Sequence, residues 1–211
     1  MKKLRILASI LCAFSSHING ASLVINGDFE SGNTVFSSQY SYAPASNTTE
    51  GEYTVRTDPE NWNNLFAATP DHTSGVGNML VVNGATTGNP YFWQEIVPVS
   101  SFTGYDFSAW ISTAVAGGPA DLYVEINGVL VGSLFTAPDL PGTWENWSEQ
   151  WMSGSATMAD IRIYNSDTST FPNDFYVDDI SFMAAVPIPA AAWLFGSGLL
   201  GLVGVAMRKA T

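Results

Sequence analysis

Cysteine is all but missing from this chain of 211 residues, whose one thiol, Cys12, lies near the N-terminus. A disulfide scaffold is therefore excluded, and so is thiol catalysis once that terminus is removed. Positive charge is nearly as scarce. Seven Lys and Arg stand against 19 Asp and Glu, a net charge of −12, and Lys2, Lys3, Arg5, Arg208 and Lys209 all sit at the two ends. Only Arg56 and Arg162 oppose the acids in between. Such a body cannot displace counterions from a phosphate backbone, which excludes nucleic acid as a partner, although clustered carboxylates can hold divalent cations. Histidine is limited to His17 and His72, and no zinc-ligand spacing, phosphate-cradling glycine loop or nucleophile elbow occurs. His72 stands in Pro70-Asp71-His72-Thr73-Ser74-Gly75, where a solvated loop side chain is expected rather than a general base. No catalytic residue is assigned, although a glycosidase working with two carboxylates remains open, because separation in space is invisible in sequence.

The central part also lacks any long stretch with a 3.6-residue period. It has short apolar or alternating runs separated by Gly, Pro, Asn and Asp, and at 46% hydrophobic and 13% aromatic residues it is not disordered. The runs are Ser22 to Ile25, Glu52 to Arg56, Asn78 to Val82, Tyr91 to Val99, Tyr105 to Thr113, Leu122 to Ile126, Val129 to Phe135, Trp144 to Met152, Asp160 to Tyr164 and Phe175 to Phe182. Asn127-Gly128 lies between two of them, and both residues tolerate positive φ, so a type I′ hairpin is expected there. Asn33 to Asn64, rich in Ser, Thr and Asn, reads as long connections around one or two short strands. The expectation is all-β: one two-sheet jelly-roll sandwich over residues 22–185, which leaves fewer long exposed edges than an open sheet.

The two ends read as addresses. Lys2-Lys3-Leu4-Arg5 and the short apolar stretch Ile6 to Phe14 form an export signal over residues 1–21, with small residues at Gly20, Ala21 and Ser22 where signal peptidase could cut. At the other end, Val186-Pro187-Ile188-Pro189 precedes an apolar stretch over 190–207 and then Arg208-Lys209. At about 1.5 Å per residue that stretch just spans a hydrocarbon core as a transmembrane helix. Motif, helix and basic stop together resemble the PEP-CTERM type of sorting tail, in its VPLPA variant with Ile188 in place of leucine. The resemblance implies a Gram-negative bacterium, recognition by an exosortase that cleaves near the proline motif, and a membrane anchor that is only transient. The alternative is a plain anchor that is never cut.

Leu23-Val24-Ile25-Asn26-Gly27-Asp28-Phe29-Glu30-Ser31-Gly32 resembles the opening strand of galactose-binding-like jelly-roll modules, and Phe175-Tyr176-Val177-Asp178-Asp179-Ile180-Ser181-Phe182 their closing strand. Trp93 to Val99 and Tyr105 to Trp110 are similar to their central pair. Strict alternation in the closing segment puts Tyr176, Asp178, Ile180 and Phe182 on the better core face, where a carboxylate needs a partner. The resemblance implies a structural Ca²⁺ tying the first strand to the last, held here by Asp28 or Glu30 and by Asp178, with carbonyls completing the ~6–8 oxygens calcium requires. Hydrogen bonds from turn amides are the alternative. Among the tryptophans, Trp110 alternates with Asp106 rather than with Tyr105, Phe107 and Ile111, which makes it the candidate exposed platform for a sugar ring. Together these features predict an exported, non-enzymatic sandwich at the cell surface or in the extracellular matrix. Its role would be structural or adhesive and linked to exopolysaccharide, with a dedicated carbohydrate-binding module as the alternative.

Overall fold

The computed structural model describes residues 20–47 and 49–185. The expected signal segment up to Asn19, the Val186 to Pro189 motif and the 190–207 helix lie outside these residues. Among the described residues no helix is long and apolar enough to cross a membrane. The described strands and both described apolar clusters fall within residues 21–185, which form one compact unit with its own core.

The strands are β1 (Ser41–Tyr42), β2 (Glu52–Arg56), β3 (Met79–Asn83), β4 (Tyr91–Pro98), β5 (Gly104–Thr113), β6 (Asp121–Ile126), β7 (Val129–Thr136), β8 (Glu145–Met152), β9 (Met158–Asn165) and β10 (Phe175–Ala184), with a 3₁₀ turn at Pro59–Asn61. They form a six-stranded sheet, β1-β2-β3-β10-β5-β8, and a four-stranded sheet, β4-β9-β6-β7. The fold is the expected two-sheet jelly-roll sandwich. Period-two alternation drives it. In β6, Leu122, Val124 and Ile126 are buried while Asp121, Tyr123 and Glu125 face outward; in β5, Tyr105, Phe107, Ala109 and Ile111 form the inner row. Both rows enter one apolar cluster, where each large side chain contributes about 1.5–3 kcal/mol by leaving water. Asn127 and Gly128 have φ of 55° and 74°, giving the two-residue turn that joins β6 to β7.

Two local expectations are corrected. Ser22 to Ile25 is not a strand. β3 accompanies β10 only as far as Val177, and residues 22–27 run beside the remainder through isolated bonds: Leu23 N–H to Phe182 O at 2.8 Å and Ile180 N–H to Gly27 O at 2.9 Å. The Ser22 hydroxyl accepts the Phe182 N–H where a ladder carbonyl would otherwise stand. The tenth strand is instead the two-residue β1, paired parallel to β2.

The second correction concerns β10, whose register against β5 shifts between Asp178 and Ser181, with Asp179 at φ 49°. The extra residue reverses which side chains point inward. Phe175 and Val177 face the core before the bulge, Ile180 and Phe182 after it. Tyr176 faces the opposite way, into a second cluster with Trp62, Phe66, Met79, Val81 and Ala114. Asp178 shares that outer side of the six-stranded sheet, beneath the connection between β2 and β3.

Candidate functional site

Asp178 is fully buried, yet its carboxylate is well supplied with donors. One oxygen accepts the N–H of His72 (2.8 Å), the N–H of Thr73 (3.1 Å) and the Thr73 hydroxyl (3.2 Å); the other accepts the Asp179 N–H (2.8 Å). Burial pushes its pKa up to about 7, opposed by the Thr73, Asp179 and His72 amides and reinforced by the Asp179 carboxylate. Asp28 accepts the N–H of Glu30 at 3.3 Å, and Glu30 accepts the N–H of Asn78 at 2.8 Å. The three residues expected to hold calcium are thus engaged with separate backbone amides. Among the described residues no three His, Cys, Asp or Glu side chains gather in a set that could hold a metal ion. The amides meet the need for which calcium was invoked at Asp178, and Asp28, Glu30 and Asp178 do not gather into one such set.

His72 is not a solvated loop side chain. Its Nδ1 lies 2.6 Å from an Asp179 carboxylate oxygen, and its ring stacks on Trp110 with centroids 3.9 Å apart. Trp144 packs edge-on at 5.9 Å and is anchored by its own N–H to Pro70 O. The bulge explains the arrangement: it presents Asp178 and Asp179 in succession to the incoming loop, one to its amides and the other to the imidazole. Trp110 is half-buried with one ring face covered by His72, so it does not offer that face to a ligand.

An aromatic surface lies instead on the outer side of the four-stranded sheet. Register aligns Tyr91 with Tyr164, and Tyr164 with Tyr123, so three half-buried tyrosines form a row across β4, β9 and β6. Strands about 4.8 Å apart bring such partners into contact. Tyr123 and Tyr164 stack with planes 6° apart and centroids 4.8 Å apart, while Tyr91 meets Tyr164 at 89°. Burial raises the Tyr164 phenol above its ordinary range, partly offset by its hydrogen bond with Arg162.

Polar groups flank the row. Arg162 sits 5.4 Å from the centre of the Tyr91 ring and pairs with Asp160 at 2.6 Å. Gln94 donates to Asp160 at 2.6 Å, and Asn89 donates to the Tyr123 hydroxyl at 2.6 Å. Glu125, on the same face, completes a surface whose one cation among the described residues is already paired. Phenol rings beside convergent amide, guanidinium and carboxylate groups can bind a polyol by ring contact and by hydrogen bonds to its hydroxyls. Sequence reasoning missed Tyr123, Tyr164 and Arg162 as site residues. Their outward alternation in β6 and β9 was a signal, but only the strand register puts them beside Tyr91.

No known family model and no curated protein sequence matches the chain. Solved structures do match. The N-terminal CBM22-1-CBM22-2 tandem domain of Xyn10C from Paenibacillus barcinonensis has a TM-score of 0.53 at 17% identity, covering 83% of this chain and 49% of that one. A cyclase from Fischerella sp. TAU, in complex with 4-(1H-indol-3-yl)butan-2-one, has a TM-score of 0.54 at 13% identity, covering 79% of this chain and 98% of that one. The enzymatically active domain of tailspike protein 4 from bacteriophage CBA120 has a TM-score of 0.50 at 11% identity, covering 78% and 21%. What these proteins share with the chain is its fold.

Proposed function

We propose that residues 21–185 form an exported, non-catalytic module that binds an uncharged polysaccharide across the Tyr91, Tyr164 and Tyr123 row. The C-terminal tail delivers it to the cell surface or matrix by exosortase sorting. The observation that carries the binding reading is the register that lines up three tyrosines beside Arg162, Asp160 and Gln94 on one open sheet face. The preference for a neutral ligand is supported by charge. Asp160 neutralises Arg162, and Asp121 and Glu125 leave the face anionic, so a uronate or sulfated chain would be repelled. Delivery by sorting is supported by the Val186-Pro187-Ile188-Pro189 motif, the apolar stretch and the basic end. The fold alone does not separate a binder from an enzyme, since a CBM22 tandem domain and a cyclase both share it.

The test is migration of residues 21–185 through native gels containing soluble uncharged polysaccharides. Retardation by at least one polymer is expected, and it should be lost in a Tyr123→Ala/Tyr164→Ala variant that melts as a folded protein. Equal retardation of that variant would refute the row as the site. Intact-mass measurement of the cell-surface form tests delivery, with loss of both ends expected.

A further inference from the structure

The outer side of the six-stranded sheet is covered over only part of its width. Over β3, the connection from β2 buries Met79 and Val81 under Trp62 and Phe66. Over β5 and β8 the outward positions are polar and accessible: Asn146, Ser148 and Gln150 are exposed, Asp106 and Ser108 half-buried. An open cleft of about 500 Å³ lies there, lined by Asp106, Ser148, Glu149 and Gln150. Gln150 donates to Asp106 at 3.0 Å, which sets an amide and a carboxylate side by side. Four residues along β5 from Asp106, about 13 Å at strand rise, Trp110 begins an aromatic wall made with His72 and Trp144. That wall is held rigidly by the Asp179 and Pro70 bonds described above.

We infer that this surface is a second polysaccharide-binding face, on the opposite side of the sandwich from the tyrosine row, so that one molecule grips two glycan strands. The inference rests on the proposed function and extends it from a binder to a cross-linker. A polar cleft with fixed, half-buried aromatic rings further along the same sheet face suits a glycan several sugars long: hydroxyls bond to the amide and carboxylate in the cleft, and ring C–H groups of a sugar further along the chain lie against the uncovered parts of the aromatic wall. Glu149 turns its carboxylate to the Ser133 N–H on the other side of β8, so Asp106 is the one acid that faces the cleft among the described residues, and no base lines it; its ligand is again an uncharged glycan. Two sites on opposite faces cannot engage neighbouring segments of one straight chain, so joint occupancy joins two chains. Avidity then arises in the polymer network rather than at either face.

The experiment uses residues 21–185 with galactan, hydroxyethylcellulose and dextran as probes. Binding stoichiometry is read by calorimetry on short oligosaccharides of the retained polymer, and cross-linking by turbidity with the polymer itself. Two sites per molecule and turbidity are expected. The pair Ser148→Lys/Gln150→Ala, at exposed positions that leave the core intact, should reduce the count to one and abolish turbidity. Tyr123→Ala/Tyr164→Ala should do the same, and all four substitutions should abolish binding. A single site that vanishes with the tyrosines alone overturns the second face and leaves the proposed function standing. Retention of none of the probes overturns both.

Discussion

The imidazole of His72 lies nearly parallel to the indole of Trp110, 16° between planes. This contact, made by a loop residue with a strand residue, pins the connection between β2 and β3 to the outer side of the sheet. His72→Ala removes the stack and the bond to Asp179 together, so a loss of about 1–3 kcal/mol is expected by thermal melting. A red shift of tryptophan emission should accompany it as Trp110 and Trp144 become wetter.

Asp178 is held by protein donors, so chelator should leave the melting temperature of residues 21–185 unchanged. Asp178→Ala strips the His72 and Thr73 amides of their acceptor and should cost about 2–4 kcal/mol. A chelator-dependent melt that Asp178→Ala abolishes would instead establish a metal there.

Acid should stabilise the fold before it harms it. Asp174 is buried and accepts the Gly84 N–H; burial pushes its pKa up to about 7, the Gly84 amide opposes this and Glu50 adds to it. Asp178 is also raised to about 7. A carboxyl whose folded pKa exceeds its unfolded value binds its proton more tightly when folded, so its contribution grows as pH falls from about 7 towards the ordinary carboxylate range. Below that range Asp58 and Asp71 act in the opposite sense. Hydrogen bonds from Asn61 and Arg56 hold Asp58 down, and at Asp71 burial is outweighed by the Ser74 and Gly77 amides. The melting temperature should therefore rise between pH 7.5 and about 5, and Asp174→Asn should flatten that rise; a fall over the same interval would contradict it.

Gly27 passes so close to β10 that an added Cβ would lie 1.9 Å from the Ile180 carbonyl oxygen. Gly27→Ala must push the N-terminal segment off that carbonyl and break the Ile180–Gly27 bond. A loss of about 2 kcal/mol or more is expected, with accelerated hydrogen exchange at Leu23 and Ile180.

Charge selection at the tyrosine row has its own check. Asp160→Asn leaves Arg162 without its ion pair, so binding of a uronic-acid polymer should strengthen roughly tenfold, about 1.4 kcal/mol, while the neutral polymer changes little. Unchanged discrimination, measured in low salt, would mean that the pair does not set it.

Much of this architecture was legible as pattern. Alternation in β2, β5, β6 and β9 placed the strands within one or two residues, and Asn127-Gly128 announced its hairpin. Alternation failed in β10 because a bulge is a change of parity, and nothing local at Asp178-Asp179 marks where the count slips. It failed at residues 22–25 because β3 begins only at Met79 and does not flank β10 beyond Val177, leaving room for a segment that bonds to β10 without a regular ladder. His72 was misread because its setting was judged from neighbours in sequence, whereas Asp179 and Trp110 reach it from other strands.

The sequence by itself determined that this is an acidic, cysteine-poor β-protein with a hydrophobic stripe on most of its strands, since a two-residue period and side-chain polarity are local properties. Only the tertiary structure decided which outward residues become neighbours. Tyr91, Tyr123 and Tyr164 form a row, and Asp106 meets Gln150, because strand pairing and register are settled by long-range burial of the inner faces. The side chains of the outer faces are carried into place by that burial rather than choosing it.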